Sequence, residues 1–305
     1  MVLRYAPARS TGTSDRVCRT VAILRRRGYA LTPRRLGEIC LEGSLSEADV
    51  RWAVAARSEL IIEDGLVFDR RAATRATEIQ SRVRSHAAEA PAYLDMTVAF
   101  IRTLVELAPF VRSVSIAGSL ASGGFRASDD VDLNLVVDDG CRHLAYVAVN
   151  VLGLAHAMRH RGKPVDDLTR RPLAPRLMTA NLILERSQCL PLKRQDEDMA
   201  FELLVAEPVF GLEAVDEIVA ANPALLDHFP QLASRPSPLA IDVPARRLPR
   251  AMFPRALDGA ARVLGESAWR YMQWTRRGSP AALARVAYVR STMRPYTLFD
   301  GPGSD

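Results

Sequence analysis

Lysine is almost absent from this chain, and cysteine is scarce and unpaired. Only Lys163 and Lys193 are lysine, so 39 of the 41 basic residues are arginine. A GC-rich genome explains such a bias better than contacts with phosphate do, and the net charge of +6 therefore does not identify a nucleic-acid-binding protein. The four cysteines and five histidines show no paired spacing, which excludes a disulfide framework and a zinc pattern and favours a reducing, cytoplasmic location.

Long uninterrupted apolar runs are also missing. The nearest approach, residues 144–158, contains Asn150 and His156, so it predicts a buried helix rather than a membrane span. Residues 1–16 carry charge but no apolar stretch, and we expect neither a signal peptide nor a membrane partner. A chain of 305 residues that is 48% hydrophobic and 25% charged has room for two or three globular domains.

Two segments of alternating apolar and polar residues predict strands on either side of a short spacer. The first covers residues 113–117 and ends at Gly118-Ser119, and the second covers residues 130–137. Alternation places one face of each strand in a core. Asp130 and Asp132 then share the opposite face, with α-carbons about 6.6 Å apart. Such a pair of carboxylates could hold two divalent cations about 4 Å apart, as in-line displacement requires.

The Gly118-Ser119 pair predicts a phosphate-binding turn at the end of the first strand. Glycine has no β-carbon, so a triphosphate could approach the backbone closely. The N–H groups that follow, together with the serine hydroxyl, would donate hydrogen bonds to phosphate oxygens. The alternative is a strand edge whose two aspartates are merely solvated.

At these residues the chain resembles the nucleotidyltransferase superfamily of the DNA polymerase β type. Its signature is a strand ending in Gly-Ser, a spacer of about ten residues and Asp-x-Asp on the next strand. The resemblance implies that Asp130 and Asp132 are catalytic residues that bind Mg²⁺ or Mn²⁺. It also implies that Gly118 and Ser119 bind the nucleoside triphosphate, for example ATP.

The family normally carries a third carboxylate on a later strand, and this sequence lacks an obvious one. The predicted strand at residues 176–185 offers Thr179 or Asn181 at that place, and we take Asn181 as the third metal ligand. An amide binds a hard cation less well than a carboxylate and cannot act as a base. An acid introduced at 181 is therefore expected to raise activity. Three nearby acids are alternatives: Asp166, Asp167 and Glu185.

The N-terminal part of the sequence predicts three helices and a hairpin. A first helix covers residues 17–27, Thr32-Pro33 opens a second, and Ser46 caps a third. Two apolar strands then flank Asp64-Gly65, which is a strong signal for a two-residue hairpin turn. We interpret residues 17–75 as a winged-helix-like domain.

DNA binding by this winged-helix-like domain is not favoured. The helix that opens at Ser46 would enter a major groove. Its outward side chains carry both signs of charge: Glu47, Asp49, Arg51, Arg57 and Glu59. We therefore prefer a packing or protein-interaction role, and we expect residues 1–16 to form a mobile tail.

The remaining chain divides into three further regions. Residues 76–108 predict a helical connector made of two helices, and residues 109–192 form the nucleotidyltransferase core. Residues 193–305 predict a helical C-terminal region, in which seven prolines at 223–254 mark an extended connection.

The resemblance extends beyond the core to a bacterial subfamily that carries an N-terminal winged-helix-like unit. Members share an asparagine-bearing strand, as at Asn181, an Ala-x-Glu-Leu helix, as at 200–203, and a Pro-x-x-Gly turn, as at 208–211. Arginines also alternate with aromatics near the C-terminus: Trp269, Arg270, Tyr271, Trp274, Arg276 and Arg277. That composition suits a platform for single-stranded nucleic acid or a helix docking on its own protein, and we favour docking.

Together these features predict an α+β protein with a small mixed-sheet nucleotidyltransferase core. The expected activity is transfer of a nucleoside monophosphate from a nucleoside triphosphate to a hydroxyl of a small molecule, a protein or an RNA end. Two alternatives stay open. One is a catalytically weak nucleotide-binding regulator or antitoxin-like module of the same fold, and the other is an RNA-modifying nucleotidyltransferase.

Overall fold

The computed structural model describes residues 11–160 and 177–299 of the chain. Its N-terminal part consists of three helices and an antiparallel hairpin. In chain order these are α1 (Thr11–Arg27), α2 (Pro33–Glu38), α3 (Glu47–Ala55), β1 (Leu60–Glu63) and β2 (Leu66–Asp69).

Local sequence accounts for the boundaries of these N-terminal elements. The Thr32 side chain accepts a hydrogen bond from the Arg35 backbone, and Ser46 caps α3 in the same way. Asp64 and Gly65 both have positive φ, at 47° and 77°, as the tight turn between β1 and β2 requires.

Helix α1 begins six residues earlier than its apolar spacing predicted. Residues 11–16, expected to belong to the mobile tail, are helical. Ser14 is buried, and Arg16 Nε donates to the Leu41 carbonyl over 2.7 Å. Tertiary contacts stabilise this first turn, and the spacing of apolar residues in the sequence could not predict them. Residues 1–10 of the predicted tail lie outside the described residues.

A single long helix, α4 (Ala76–Leu107), replaces the two helices predicted for the connector. It continues through Pro91, which lies on the exposed side of the helix. A proline inside a helix removes one backbone hydrogen bond. The turns that follow Pro91 bury Phe100, Ile101 and Leu104 in the core and hold the helix together.

The central sheet has four strands and is mixed, so the predicted α+β class is confirmed. The elements that build it, in chain order, are β3 (Val111–Ala117), α5 (Gly118–Ser122), β4 (Val131–Val137), α6 (Arg142–Arg159), β5 (Met178–Glu185), α7 (Arg186–Cys189), α8 (Glu197–Val205) and β6 (Glu207–Phe210). The strand order is β5-β4-β3-β6. Strand β3 runs antiparallel to both β4 and β6, and β4 runs parallel to β5.

Strand β6 corrects the prediction of a turn at residues 208–211. Pro208 occupies an edge strand, where its missing N–H costs no ladder bond. Gly211 ends the strand with φ at 67°, and a β-carbon there would overlap the Arg112 carbonyl. The Pro-x-x-Gly string therefore supplies an edge strand and the turn that closes it.

The two faces of the sheet belong to two apolar clusters. Leu133 and Leu135 of β4 pack with buried residues of α4 and α6. On the other face, Leu182 and Leu184 of β5 share a cluster with α8 and with the N-terminal helices. The N-terminal unit and the sheet are thus joined through one continuous core.

The predicted helical C-terminal region, residues 193–305, also supplies strand β6 to the central sheet, and after that strand its described regular elements are helices. Its helices are α9 (Leu212–Ala221), α10 (Ala224–His228), α11 (Ala256–Arg276) and α12 (Pro280–Met293). The proline-rich stretch at 223–254 is only partly extended, since α10 and two short 3-10 turns lie within it. Trp269 packs near Phe299 beneath Arg290, whereas Trp274 is 58% exposed. Among the described helices, none has the length and apolar character needed to cross a membrane.

Candidate functional site

Asp130 and Asp132 lie together at the start of β4, where a single threonine hydroxyl contacts both. Thr179 of the parallel strand β5 pairs with Asp132 in the sheet register. Its Oγ1 lies 3.0 Å from Asp132 Oδ1 and 3.3 Å from Asp130 Oδ2. A hydroxyl has one proton and can donate to only one carboxylate at a time. The arrangement therefore brings two acidic side chains together around one shared hydroxyl.

The two carboxylates of this pair repel each other. Burial and the neighbouring Asp130 carboxylate raise the pKa of Asp132 to about 7, although Arg285 of α12 and the Thr179 hydroxyl act in the opposite direction. Two like charges that share a partly desolvated site favour uptake of a proton or a cation.

The absence of a side chain at Gly118 leaves space for the Asp132 carboxylate. Ala117, the last residue of β3, pairs with Asp132, and Gly118 follows with φ at 61°. A β-carbon at position 118 would overlap Asp132 Oδ2. Glycine is therefore required here both for its backbone conformation and for the space that Asp132 occupies.

Ser119 is directed at a third aspartate that sequence reasoning missed. Its hydroxyl donates to Asp129 Oδ2 over 3.2 Å. The same carboxylate oxygen accepts from Arg82 Nη1 over 3.1 Å and from the Arg126 backbone over 3.2 Å. Asp129 thus ties the Gly118–Ser119 turn to α4 and to the start of β4. The Ser119 hydroxyl serves the shape of the turn, and a role in binding phosphate stays a prediction.

Asn181 sits one step away from the carboxylate pair. The pairing of β4 with β5 slips between Leu133 and Asn134, so Asn181 is the extra residue of a bulge. Its Nδ2 donates to Asn134 Oδ1 and to Glu202 Oε1, each over 2.9 Å. The structure places Thr179, not Asn181, beside Asp132. The amide oxygen of Asn181 is the atom left for a ligand, and its place among metal ligands stays a prediction.

Glu202 of α8 is the acid that the sequence analysis overlooked. Its Oε1 accepts from both Asn181 and Asn134, the latter over 3.2 Å. Its Oε2 accepts from Arg27 Nη1 over 2.6 Å, with 5% and 8% of the two side chains exposed. One signal was available, because Glu202 interrupts an otherwise apolar run in α8. Its partner Arg27, which lies 175 positions earlier, gave none.

The other acids considered as a third ligand are placed elsewhere or not described. Glu185 ends β5 opposite Val137, six positions beyond Thr179 and about 20 Å along the strand. Its carboxylate accepts from the Gly140 backbone over 3.0 Å. Asp166 and Asp167 lie outside the described residues.

The residues present fit a divalent cation of the magnesium type. Two adjacent carboxylates match the oxygen ligands that Mg²⁺ prefers, and Mg²⁺ is commonly held by one or two carboxylates with substrate phosphates completing its shell. Within residues 11–160 and 177–299, no group of three or more histidine, cysteine, aspartate or glutamate side chains is arranged to hold a metal ion. The candidate site is thus a two-carboxylate site.

Comparisons with protein-family models, with curated proteins and with solved structures found no match to this chain.

Proposed function

We propose that this chain is a magnesium-dependent nucleotidyltransferase that moves a nucleoside monophosphate from a nucleoside triphosphate to a hydroxyl acceptor. One observation carries the proposal. Asp130 and Asp132 share the Thr179 hydroxyl, and Asp132 lies directly against Gly118, the glycine that follows the neighbouring strand. A metal-binding carboxylate pair beside a glycine turn is an arrangement suited to a triphosphate.

Each part of the site has a role in this proposal. Asp130 and Asp132 would hold Mg²⁺, or Mn²⁺ in its place. The bound cation would neutralise charge on the phosphates and polarise the phosphoryl group under attack. The backbone of the turn at Gly118 would donate to phosphate oxygens, and Asp129 would keep that turn in shape through Ser119. Rate enhancement would come from positioning and charge neutralisation.

A second candidate is a catalytically weak nucleotide-binding regulator of the same fold. The observation in its favour is Thr179, because a hydroxyl stands at the position on β5 that faces both aspartates. Threonine cannot bridge a cation as a carboxylate does, nor take up the acceptor proton at neutral pH. Nucleotide binding with little or no transfer would follow.

For the N-terminal elements, we propose a winged-helix-like unit whose role is packing. Arginines of α1 form ion pairs with acidic residues of α8, and one of these pairs, Arg27–Glu202, is buried. A unit engaged in this way is suited to complete a site rather than to read DNA on its own.

Calorimetry with each nucleoside triphosphate, with and without Mg²⁺, tests the proposed site. We expect binding that requires the cation, because two carboxylates alone would repel the phosphates. The Asp130→Ala/Asp132→Ala variant should lose binding and keep its melting transition. Removal of two exposed acids of α9, as in Glu213→Ala/Asp216→Ala, is the matched control. Equal binding with and without Mg²⁺ would refute the two-carboxylate site.

Transfer is measured separately, with α-labelled triphosphates and cell extract as the source of acceptors. Label that enters a macromolecule or a small product, and that is lost in the Asp130→Ala/Asp132→Ala variant, supports the transferase. Cation-dependent binding without any transfer supports the regulator.

A further inference from the structure

We infer that Arg27 of α1 is a positioning residue of the carboxylate site, so that docking of the N-terminal unit and binding of the metal–nucleotide complex are coupled. This inference rests on the proposed function and adds a regulatory element to the same site. The N-terminal unit here means residues 11–69.

Among the described ion pairs between α1 and α8, only Arg27–Glu202 has both side chains buried, and Arg27 Nη2 also lies 4.0 Å from the half-buried carboxylate of Asp198. Arg19 pairs with Glu197, and Arg26 Nη2 lies 3.2 Å from Asp198 Oδ1. These two arginine side chains are 46% and 41% exposed, and exposed pairs of this kind contribute little. Arg27 and Glu202 are shielded from solvent, so loss of Arg27 would leave the Glu202 carboxylate uncompensated inside the protein.

Glu202 connects Arg27 by hydrogen bonds to β4 and β5, the two strands that carry the site. One carboxylate oxygen accepts from Arg27, and the other accepts from the side-chain amides of Asn134 and Asn181. Asn134 lies on the same face of β4 as Asp132, two residues further along. If Arg27 were absent, Glu202 would move toward water to regain solvation of its charge. Both amides would then lose the acceptor that fixes their orientation.

The same segment of chain also borders the glycine turn. Tyr29 lies two residues after Arg27, and a β-carbon at Gly124 would sit 3.7 Å from its ring. Gly124 follows α5 and donates its N–H to the Ser119 carbonyl over 3.1 Å. Residues 27–29 therefore touch the site from two sides, through Glu202 and through the end of the turn. A displacement of α1 would change both.

Coupling of this kind is reciprocal: a ligand that needs the ordered site must in turn stabilise the docked α1. Removal of a residue that orients metal ligands typically lowers affinity by 10- to 100-fold. We therefore expect Arg27→Met to weaken Mg²⁺–ATP binding by about tenfold or more. Arg26→Met is the matched control, because it removes the adjacent, exposed arginine, and it should change affinity less than about twofold.

The experiment measures Mg²⁺–ATP affinity by calorimetry, and hydrogen exchange of α1 with and without Mg²⁺–ATP, for wild type and both variants. In wild type and Arg26→Met, the ligand should slow exchange in α1. In Arg27→Met it should not. Arg27→Met/Glu202→Gln removes both buried charges and keeps an acceptor for the amides. If Arg27→Met does not fold, this variant should fold and recover part of the affinity.

The possible results distinguish failure of the proposed function from failure of the coupling between α1 and the site. Wild-type protein that binds neither Mg²⁺ nor Mg²⁺–ATP refutes the proposed function, and the coupling with it. Wild-type binding together with unchanged affinity and unchanged α1 protection in Arg27→Met refutes the coupling alone. A merely structural role for Arg27 would lower the melting temperature and leave the affinity of the folded protein unchanged.

Discussion

Replacement of Asn181 by aspartate would place a negative charge beside Glu202, where the protein now has a hydrogen-bond donor. The Asn181 amide now donates both of its protons, one to Asn134 and one to Glu202. An aspartate would donate neither and would place a second carboxylate against Glu202 Oε1. The family resemblance alone predicts that an acid at 181 restores a missing metal ligand and raises activity. The structure predicts a loss of both stability and activity.

The size of the loss follows from the contacts. Two ionised carboxylates about 4 Å apart repel by about 4 kcal/mol at an effective dielectric constant of about 20. Protonation limits this cost, because neutralising an aspartate at pH 7 requires about 1.4 kcal/mol for each pH unit above its ordinary pKa. Adding the two lost hydrogen bonds at about 1 kcal/mol each, we expect Asn181→Asp to lower the free energy of unfolding by about 6 kcal/mol at pH 7.

Urea unfolding at pH 7 and pH 5 provides the measurement. Asn181→Leu removes the donors without adding charge and should cost only about 1 to 3 kcal/mol. The difference between the two variants should shrink at pH 5, because protonation relieves the repulsion. Asn181→Asp/Glu202→Gln exchanges amide and carboxylate, and it should recover part of the loss. The reasoning fails if Asn181→Asp is as stable as wild type, or if it transfers nucleotide faster.

Two further predictions concern the carboxylate pair. Gly118→Ala should lower Mg²⁺–ATP affinity at least tenfold in calorimetry, because its β-carbon would displace Asp132; Gly65→Ala, which also has positive φ but open space around it, should cost about 1 to 2 kcal/mol and leave affinity unchanged. Asp132→Asn should raise the melting temperature at pH 8 without divalent cation and abolish stabilisation by Mg²⁺. Because the pKa of Asp132 is raised to about 7, the destabilisation by this carboxylate is fully present above that pH, and the gain should diminish as the pH falls from 7 toward about 4, the ordinary pKa of an aspartate. A gain that stays constant with pH would contradict this assignment.

Short-range patterns in the sequence determined the elements that carry the carboxylates. Alternation of apolar and polar residues specified β3 and β4, and with them the shared face of Asp130 and Asp132, because side chains along a strand alternate with a period of two. Hydrogen bonds within a few residues fixed the caps at Thr32 and Ser46. Asp64-Gly65 fixed the hairpin because those residues tolerate positive φ.

Only the tertiary structure decided which side chains complete the site. Thr179 rather than Asn181 reaches the aspartates because the pairing of β4 with β5 slips by one residue, and no local pattern encodes the register between strands so distant in sequence. In the sequence Glu202 resembles any surface glutamate. Only the packing of α8 against the sheet brings it to Arg27, which lies 175 positions earlier in the chain. A buried ion pair of this kind is fixed by packing at long range. The sequence therefore predicted the positions of Asp130 and Asp132, and the tertiary structure determined which side chains surround them.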